Sequence, residues 1–261
     1  MVTDQGLVHY EAYGRGKPVI LLHCWLGSWS YWLSTMEALS KRYKTYALDF
    51  WGFGESAKSS NLYNVPDYVQ MVTQFMERLG LEKAPVMGHS MGGTVSLSLA
   101  LTHPERVQKV AVVGSPIAGD GLALLLKLAA KRPLAALAYN IPGVLPVGIR
   151  IISPLWARDW KTWYAMFEED LSRTSMHSFH YSIASLRATD LTPRLGEIRV
   201  PVLGIYGNND RVVNPNQGQL ITKHAEKGQV TYFEKSGHFP MLDEREKFHQ
   251  VIETFLENSA G

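Results

Sequence analysis

Ser90 stands in Gly88-His89-Ser90-Met91-Gly92, and its surroundings mark it as a nucleophile. The apolar run Ala84-Pro85-Val86-Met87 before it predicts a strand. The stretch Gly93-Thr94-Val95-Ser96-Leu97-Ser98-Leu99-Ala100-Leu101 after it predicts a helix. A chain that passes from strand to helix over so few residues needs glycines on both sides, because a Cβ would clash in the turn. The serine is then held strained and exposed, with its hydroxyl projecting outward. A hydroxyl is a poor nucleophile at neutral pH, so acyl transfer through Ser90 requires a base and a group that orients the base.

Two downstream segments supply both. The apolar run Val200-Pro201-Val202-Leu203-Gly204-Ile205-Tyr206 leads into Gly207-Asn208-Asn209-Asp210, a polar turn tipped by a carboxylate. The run Val230-Thr231-Tyr232-Phe233 leads into Glu234-Lys235-Ser236-Gly237-His238. Ser90, Asp210 and His238 thus each follow a predicted strand, in an order that brings them to one edge of a parallel sheet. His238 is the expected general base, Asp210 its orienter, and Asp49 and Asp243 are the rival carboxylates. Read separately, Asp210 is a turn residue and His238 a helix entry; three concordant contexts favour the triad.

With these residues in place the chain resembles the α/β-hydrolase fold family over essentially its whole length. Leu21-Leu22-His23-Cys24-Trp25-Leu26-Gly27-Ser28 is similar to the family's His-Gly-x-x-Gly loop, with Cys24 where glycine is common. Asp49-Phe50-Trp51-Gly52-Phe53-Gly54-Glu55-Ser56 is similar to its Asp-x-x-Gly-x-Gly-x-Ser segment. The resemblance implies a mostly parallel eight-stranded sheet flanked by helices, with a helical cap after the sixth strand. It also implies an oxyanion hole built from the backbone N–H groups of Met91 and Trp25. A positive φ at Cys24 would strain the loop. Cys24 itself is expected to be a buried spectator, and His23 a structural donor.

The elements that must carry these residues alternate along the first part of the chain. Leu7 to Tyr13 reads as an antiparallel edge strand. Val19-Ile20-Leu21-Leu22, Lys44-Thr45-Tyr46-Ala47-Leu48 and Val107 to Gly114 read as strands buried on both faces. Between them, Trp32, Met36 and Leu39 form one helical stripe. A further helix begins near Val65-Pro66-Asp67 and stops at Gly80. From about Pro116 to about Arg194 no good strand appears, and Leu, Ala and aromatic residues are interrupted by Pro133, Pro142, Pro146 and Pro154. Residues 1–115 and 195–261 are therefore expected to form the core, and residues 116–194 the cap.

Composition sets bounds. The chain of 261 residues has a formal net charge of +2. No basic patch points to nucleic acid, and no polybasic helix points to an anionic membrane. A single cysteine rules out an internal disulfide and suits a cytoplasmic setting. The greasy stretch from Gly121 to Tyr139 holds Lys127, Lys131, Arg132 and Pro133, which argues against integral membrane association. No metal-ligand spacing or dinucleotide fingerprint is present, so neither a metal nor an organic cofactor is expected.

The cap bears on substrate. Trp156, Trp160, Trp163 and Phe167 recur at helical spacing with Tyr164 beside them. They are expected to pack the cap onto the core, with Trp160, Trp163 and Phe167 also shaping an apolar acyl pocket. The leading expectation is a serine esterase acting on small to medium apolar esters. Alternatives are a C–C bond hydrolase of aromatic ring-cleavage products, a perhydrolase side activity, and a slow-turnover small-molecule receptor. Phe239 stands where the C–C hydrolases usually carry Trp after the catalytic His.

Overall fold

The structure, a computed structural model, describes residues 1–58, 62–131, 133, 141 and 143–258. The first residues form a two-stranded hairpin, β1 (Val2–Thr3) against β2 (Gly6–Leu7). The main sheet comprises β3 (Tyr10–Gly14), β4 (Lys17–Leu22), β5 (Tyr43–Leu48), β6 (Ala84–His89), β7 (Val107–Val113), β8 (Val202–Gly207) and β9 (Gly228–Phe233). Their order across the sheet is β3-β5-β4-β6-β7-β8-β9. The β3–β5 pair is antiparallel and every other pairing is parallel. Helices Val65–Arg78, Met91–Thr102, Gln217–His224 and Arg245–Glu257 cover the sheet.

The expected count of eight strands is corrected to seven in this sheet. The predicted edge strand from Leu7 to Tyr13 is divided: Leu7 belongs to the hairpin and Tyr10 begins β3. The hairpin satisfies its own backbone, since Val8 N–H donates to Met1 O at 2.8 Å and the Met1 amino group donates to Val8 O at 2.7 Å. Its polar groups thus have partners without joining the sheet. The helical insertion consequently follows β7, the fifth strand of the sheet in chain order.

Helix boundaries follow local chemistry. Asn64 N–H donates to Asp67 Oδ2 at 2.8 Å, and the reciprocal side-chain contact completes a capping box before Val65. At the other end of that helix Gly80 adopts φ +66, the left-handed stop that glycine takes most readily. Trp32, Met36 and Leu39 are all buried, so the stripe read from their spacing faces the core.

The Asp49 segment is a structural lock. Asp49 is fully buried. Its carboxylate accepts from Trp29 N–H at 2.7 Å, Glu55 N–H at 3.0 Å and His9 Nδ1 at 2.9 Å. Ser56 Oγ donates to Asp49 O at 2.6 Å and accepts from His9 N–H at 2.9 Å. A Cβ on Gly54 would lie 2.2 Å from Asp49 Oδ2, which explains the glycine there. The loops after β4 and β5 are thereby tied together, and the carboxylate is committed to His9. Asp49→Ala should destabilise the fold by about 3 kcal/mol or more, because several buried donors lose their acceptor at roughly 1–3 kcal/mol each. Urea unfolding measures this; a loss below about 1 kcal/mol would contradict the role.

Candidate active site

Ser90 has φ +52 and ψ −115, and only Leu26 joins it as a described non-glycine residue with positive φ. Its N–H donates to Val113 O on the neighbouring strand at 2.8 Å. Gly93 N–H and Thr94 N–H return to Ser90 O at 3.0 and 3.3 Å, so the helix starts directly at the serine. The flanking glycines have definite steric reasons. A Cβ on Gly88 would meet the Gly92 backbone at 2.1 Å, and one on Gly92 would meet Leu22 O at 2.3 Å. These hydrogen bonds and close backbone contacts over-determine the turn, which is how a strained serine persists in it.

Asp210 and His238 come from the loops after β8 and β9. His238 Nδ1 donates to Asp210 Oδ2 at 2.7 Å. Asp210 Oδ1 accepts from Val212 N–H at 2.7 Å and Val213 N–H at 2.9 Å, so both carboxylate oxygens are used and the side chain cannot rotate freely. With Nδ1 occupied, Nε2 is the ring nitrogen left for a substrate or serine proton. Both residues are nearly sealed from solvent, and Ser90 and His238 line the same cavity. Of the rivals, Asp49 is held by His9. Asp243 accepts from Gly237 N–H at 2.8 Å and from Arg158 N–H at 2.8 Å, so it shapes the loop that carries His238.

The loop after β4 places Cys24, Trp25 and Leu26 beside Ser90. The positive φ falls at Leu26, φ +57, and not at Cys24. Phe50 N–H donates to His23 Nε2 at 2.9 Å, so the proton lies on Nδ1, which donates to Cys24 O at 2.7 Å. His23 thus holds the loop through its backbone, and burial lowers its pKa and keeps it neutral. Burial likewise pushes the Cys24 thiol up, away from a reactive thiolate. Trp25 Nε1 donates to Phe179 O at 3.0 Å, linking this loop to the helix Met176–Ala188 of the insertion. Met91 opens its helix, so its N–H precedes the first intrahelical bond.

The insertion contributes the other wall. Its helices Leu124–Ala129, Val144–Ile152, Trp160–Ser172 and Met176–Ala188 lie between β7 and β8. Together with the core they enclose a cavity of about 490 Å³. Trp156, Trp163 and Phe167 line it; Trp163 stacks on Phe167 with centroids 5.4 Å apart and meets Phe239 at 5.3 Å. Trp160 is half-buried and lies outside the cavity lining, so the expected stripe enters the cavity through Trp156, Trp163 and Phe167. Among the described lining residues there is no Lys, Arg, Asp or Glu. No three His, Cys, Asp or Glu side chains among the described residues gather so as to hold a metal ion.

Several contributors escaped the sequence reading. Gly114, φ +52, leaves room beneath the couple: a Cβ there would stand 3.1 Å from His238 Nδ1 and 3.3 Å from Asp210 Oδ2. His238 N–H donates to Trp156 O at 2.7 Å, so the insertion grips the histidine loop through backbone. His89, next to Ser90 in the chain, donates from Nε2 to His238 O at 2.8 Å. Backbone partners such as these leave no signature in residue type. Asp170 is the most unusual of the group. It is a buried carboxyl on helix Trp160–Ser172 with Oδ2 unpaired among the described residues.

Comparison with known proteins agrees with this architecture. Residues 17–245 match the alpha/beta hydrolase fold, and the chain belongs to that family as a hydrolase of the α/β fold. It is 28% identical to a 2-hydroxy-6-oxo-6-phenylhexa-2,4-dienoate hydrolase of Comamonas testosteroni, over 96% of this chain and 91% of that protein. It is 25% identical to a pimeloyl-[acyl-carrier protein] methyl ester esterase of Aeromonas hydrophila, over 95% of this chain and 99% of that protein. A hydrolase structure from Pseudomonas aeruginosa superposes with a TM-score of 0.88 at 21% identity, covering 99% of this chain and 97% of the other, a likeness of fold. Among the described residues no helix is long and apolar enough to cross a membrane.

Desolvation raises the Asp170 pKa to about 7, and the nearby Ser28 hydroxyl only partly offsets it. Because the folded value lies above the unfolded one, the stability this carboxyl contributes is fully present below about pH 4 and is lost as pH rises towards 7. Asp170→Asn should remove that pH dependence. The difference in unfolding free energy between variant and wild type should move in the variant's favour by a few kcal/mol from about pH 4 to pH 8. Parallel unfolding curves for the two proteins at all pH values would contradict a raised Asp170.

Proposed function

We propose that the chain is a serine hydrolase that cleaves carboxylic esters of small to medium apolar acids, with residues 116–194 as its cap. Ser90 Oγ attacks the ester carbonyl while His238 Nε2 takes its proton. Asp210 fixes the imidazole by its Nδ1–H and stabilises the imidazolium. The tetrahedral oxyanion is met by the backbone N–H groups of Met91 and Trp25, donors that need no reorganisation as charge develops. The C–O bond then breaks, His238 returns the proton to the departing alcohol, and an acyl group remains on Ser90. Water repeats the sequence: His238 deprotonates it, it attacks the acyl carbon, and the acid leaves as Ser90 recovers its proton.

The observation that carries this reading is the apolar wall around a nucleophile and a base. Such a lining favours an uncharged acyl chain on both hydrophobic and electrostatic grounds. The relatives named as dienoate hydrolases make C–C bond hydrolysis the second reading. A dienoate, however, carries a carboxylate, and a carboxylate taken into a site without a cation loses its hydration with no compensating partner. The described lining offers none. A relative named as a methyl ester esterase supports the ester reading, and a neutral ester group entering this lining would not bear that cost.

Ser90→Ala should abolish labelling by a fluorophosphonate and lower kcat on p-nitrophenyl butyrate by at least about a thousandfold, with the fold retained. Asp210→Asn should cut kcat strongly, since the imidazole loses its orienter. Persistent labelling at another serine would overturn the assignment of Ser90. Steady-state turnover separates an esterase from a receptor.

Along a series of p-nitrophenyl esters, kcat/KM should rise from acetate towards butyrate or hexanoate, by up to about fourfold per methylene if each is fully buried at about 0.8 kcal/mol. Phe167→Ala and Trp163→Ala should move the optimum while leaving Ser90 labelling intact. An unchanged profile in both folded variants would return the two rings to packing alone.

A further inference from the structure

The helix Val144–Ile152 is apolar on every side apart from Arg150. Leu145, Gly148, Ile149 and Ile152 turn towards the cavity. On the opposite side Val147 and Ile151 stand 58% and 72% exposed. A helix that is apolar all round normally lies in a core or against lipid. This one has the cavity behind it and solvent in front.

The neighbouring surface continues the pattern. Leu124 is 72% exposed on helix Leu124–Ala129, and Leu155 is 60% exposed one turn beyond Ile151. Leu125 and Val144 are both exposed and both line the cavity, so they form its mouth. Most of the large apolar side chains exposed among the described residues fall in this one region. The mouth of the cavity therefore opens within an aliphatic apron.

Charge on this stretch is one-sided. Between Asp120 and Asp159 the sequence holds Lys127, Lys131, Arg132, Arg150 and Arg158 and no Asp or Glu. That is +5 within a chain of net +2, so the remainder carries −3. Lys131, Arg150 and Arg158 are exposed. No single helix is polybasic; the cations are spread along the insertion, with Lys127 on helix Leu124–Ala129 and Arg150 on helix Val144–Ile152. Exposed aliphatic residues flanked by cations match a bilayer with anionic headgroups, where side chains enter the acyl boundary and Lys and Arg meet phosphate. A protein partner would more commonly meet anchoring Trp, Tyr or Arg at the centre of the patch; here the centre is Val, Leu and Ile.

We propose that this face docks reversibly on the surface of an anionic lipid bilayer, with the cavity mouth apposed to the membrane. Apolar esters dissolved in the lipid would then enter past Leu125 and Val144 without crossing water. The entry route rests on the esterase reading; the docking does not.

Flotation of the full chain with two kinds of vesicle tests the docking: phosphatidylcholine alone, and phosphatidylcholine mixed with phosphatidylglycerol. Binding to the mixed vesicles should exceed binding to the neutral ones at least about tenfold and should weaken as salt rises. Val147→Gln with Ile151→Gln should reduce binding at least about tenfold, as should Lys131→Gln with Arg150→Gln, because either the apolar or the ionic share is removed. Turnover of the water-soluble p-nitrophenyl butyrate should stay unchanged in both pairs, which also reports that they fold. Ser90→Ala should float like the wild type, so a chain that binds vesicles but cleaves no ester would refute the esterase reading and keep the docking. Equal binding to both vesicle types, or binding indifferent to the Val147 and Ile151 pair, would overturn the proposal. So would a dimer in sedimentation that the same pair dissociates, since a second copy would then be the cover. Capture of an acidic protein with no vesicle binding would overturn it as well.

Discussion

The 2.7 Å bond from His238 Nδ1 to Asp210 Oδ2 joins loops that leave two adjacent strands, and much of the surrounding structure serves to keep it in place. Asp210 cannot turn because Val212 and Val213 hold its other oxygen. His238 cannot withdraw because Trp156 accepts from its N–H while its carbonyl accepts from His89. Gly114 keeps the space beneath the couple empty. A buried carboxylate is costly unless its hydrogen bonds are complete, so the couple persists only where backbone donors and the imidazole are supplied together. The parallel sheet meets this demand by delivering the ends of β6, β8 and β9 to one edge.

Ser90, Asp210 and His238 and the wall of the cavity they face come largely from different parts of the chain. Those three residues lie on loops of the core, and the Asp210–His238 couple is set by short and well-satisfied contacts. The insertion supplies most of the cavity wall and is joined to the core by hydrogen bonds that include Trp156 to His238, Trp25 to Phe179, and Ser178 Oγ to Gly52 O at 2.8 Å. These contacts mean that a shift of the insertion would be felt at His238 and at the loop that carries Trp25. The buried carboxyl of Asp170 lies on the helix between these contacts and is most readily accommodated in its neutral form. The wall around Ser90 has no formal charge among the described residues, which is why substrate polarity is the discriminating question for this hydrolase.

Some of the site was legible because its steric demands are local. Gly88, Gly92 and Gly93 press against backbone or against Ser115, and only glycine fits, so the turn announces itself in residue types. Asp49, Gly54 and Ser56 are similarly bound to one another within a few residues. Other features had no such trace. Trp156 contributes a carbonyl to His238, and any residue has a carbonyl. The exclusion of Trp160 from the cavity depends on how its helix is rotated over the core, which the spacing of aromatic residues leaves open. The antiparallel edge strand was legible but its start was not, because alternation between Leu7 and Tyr13 is equally compatible with two short strands separated by a turn.

The amino-acid order by itself determined the strand-to-helix turn at Ser90, the succession of Ser90, Asp210 and His238 after strands, and the interruption between β7 and β8. Each follows from contacts between near neighbours or from the period of apolar residues, and both survive without knowledge of the rest of the chain. Only the tertiary structure decided which carboxylate meets His238, since Asp49, Asp210 and Asp243 are chemically alike and differ in what surrounds them. It also decided that Trp163 and Phe167 face the cavity, that Asp170 is buried, and that Val147 and Ile151 stand exposed on a helix that lines the cavity with its other side. Those outcomes depend on distance and burial between residues far apart in sequence, quantities that exist only after the chain has folded.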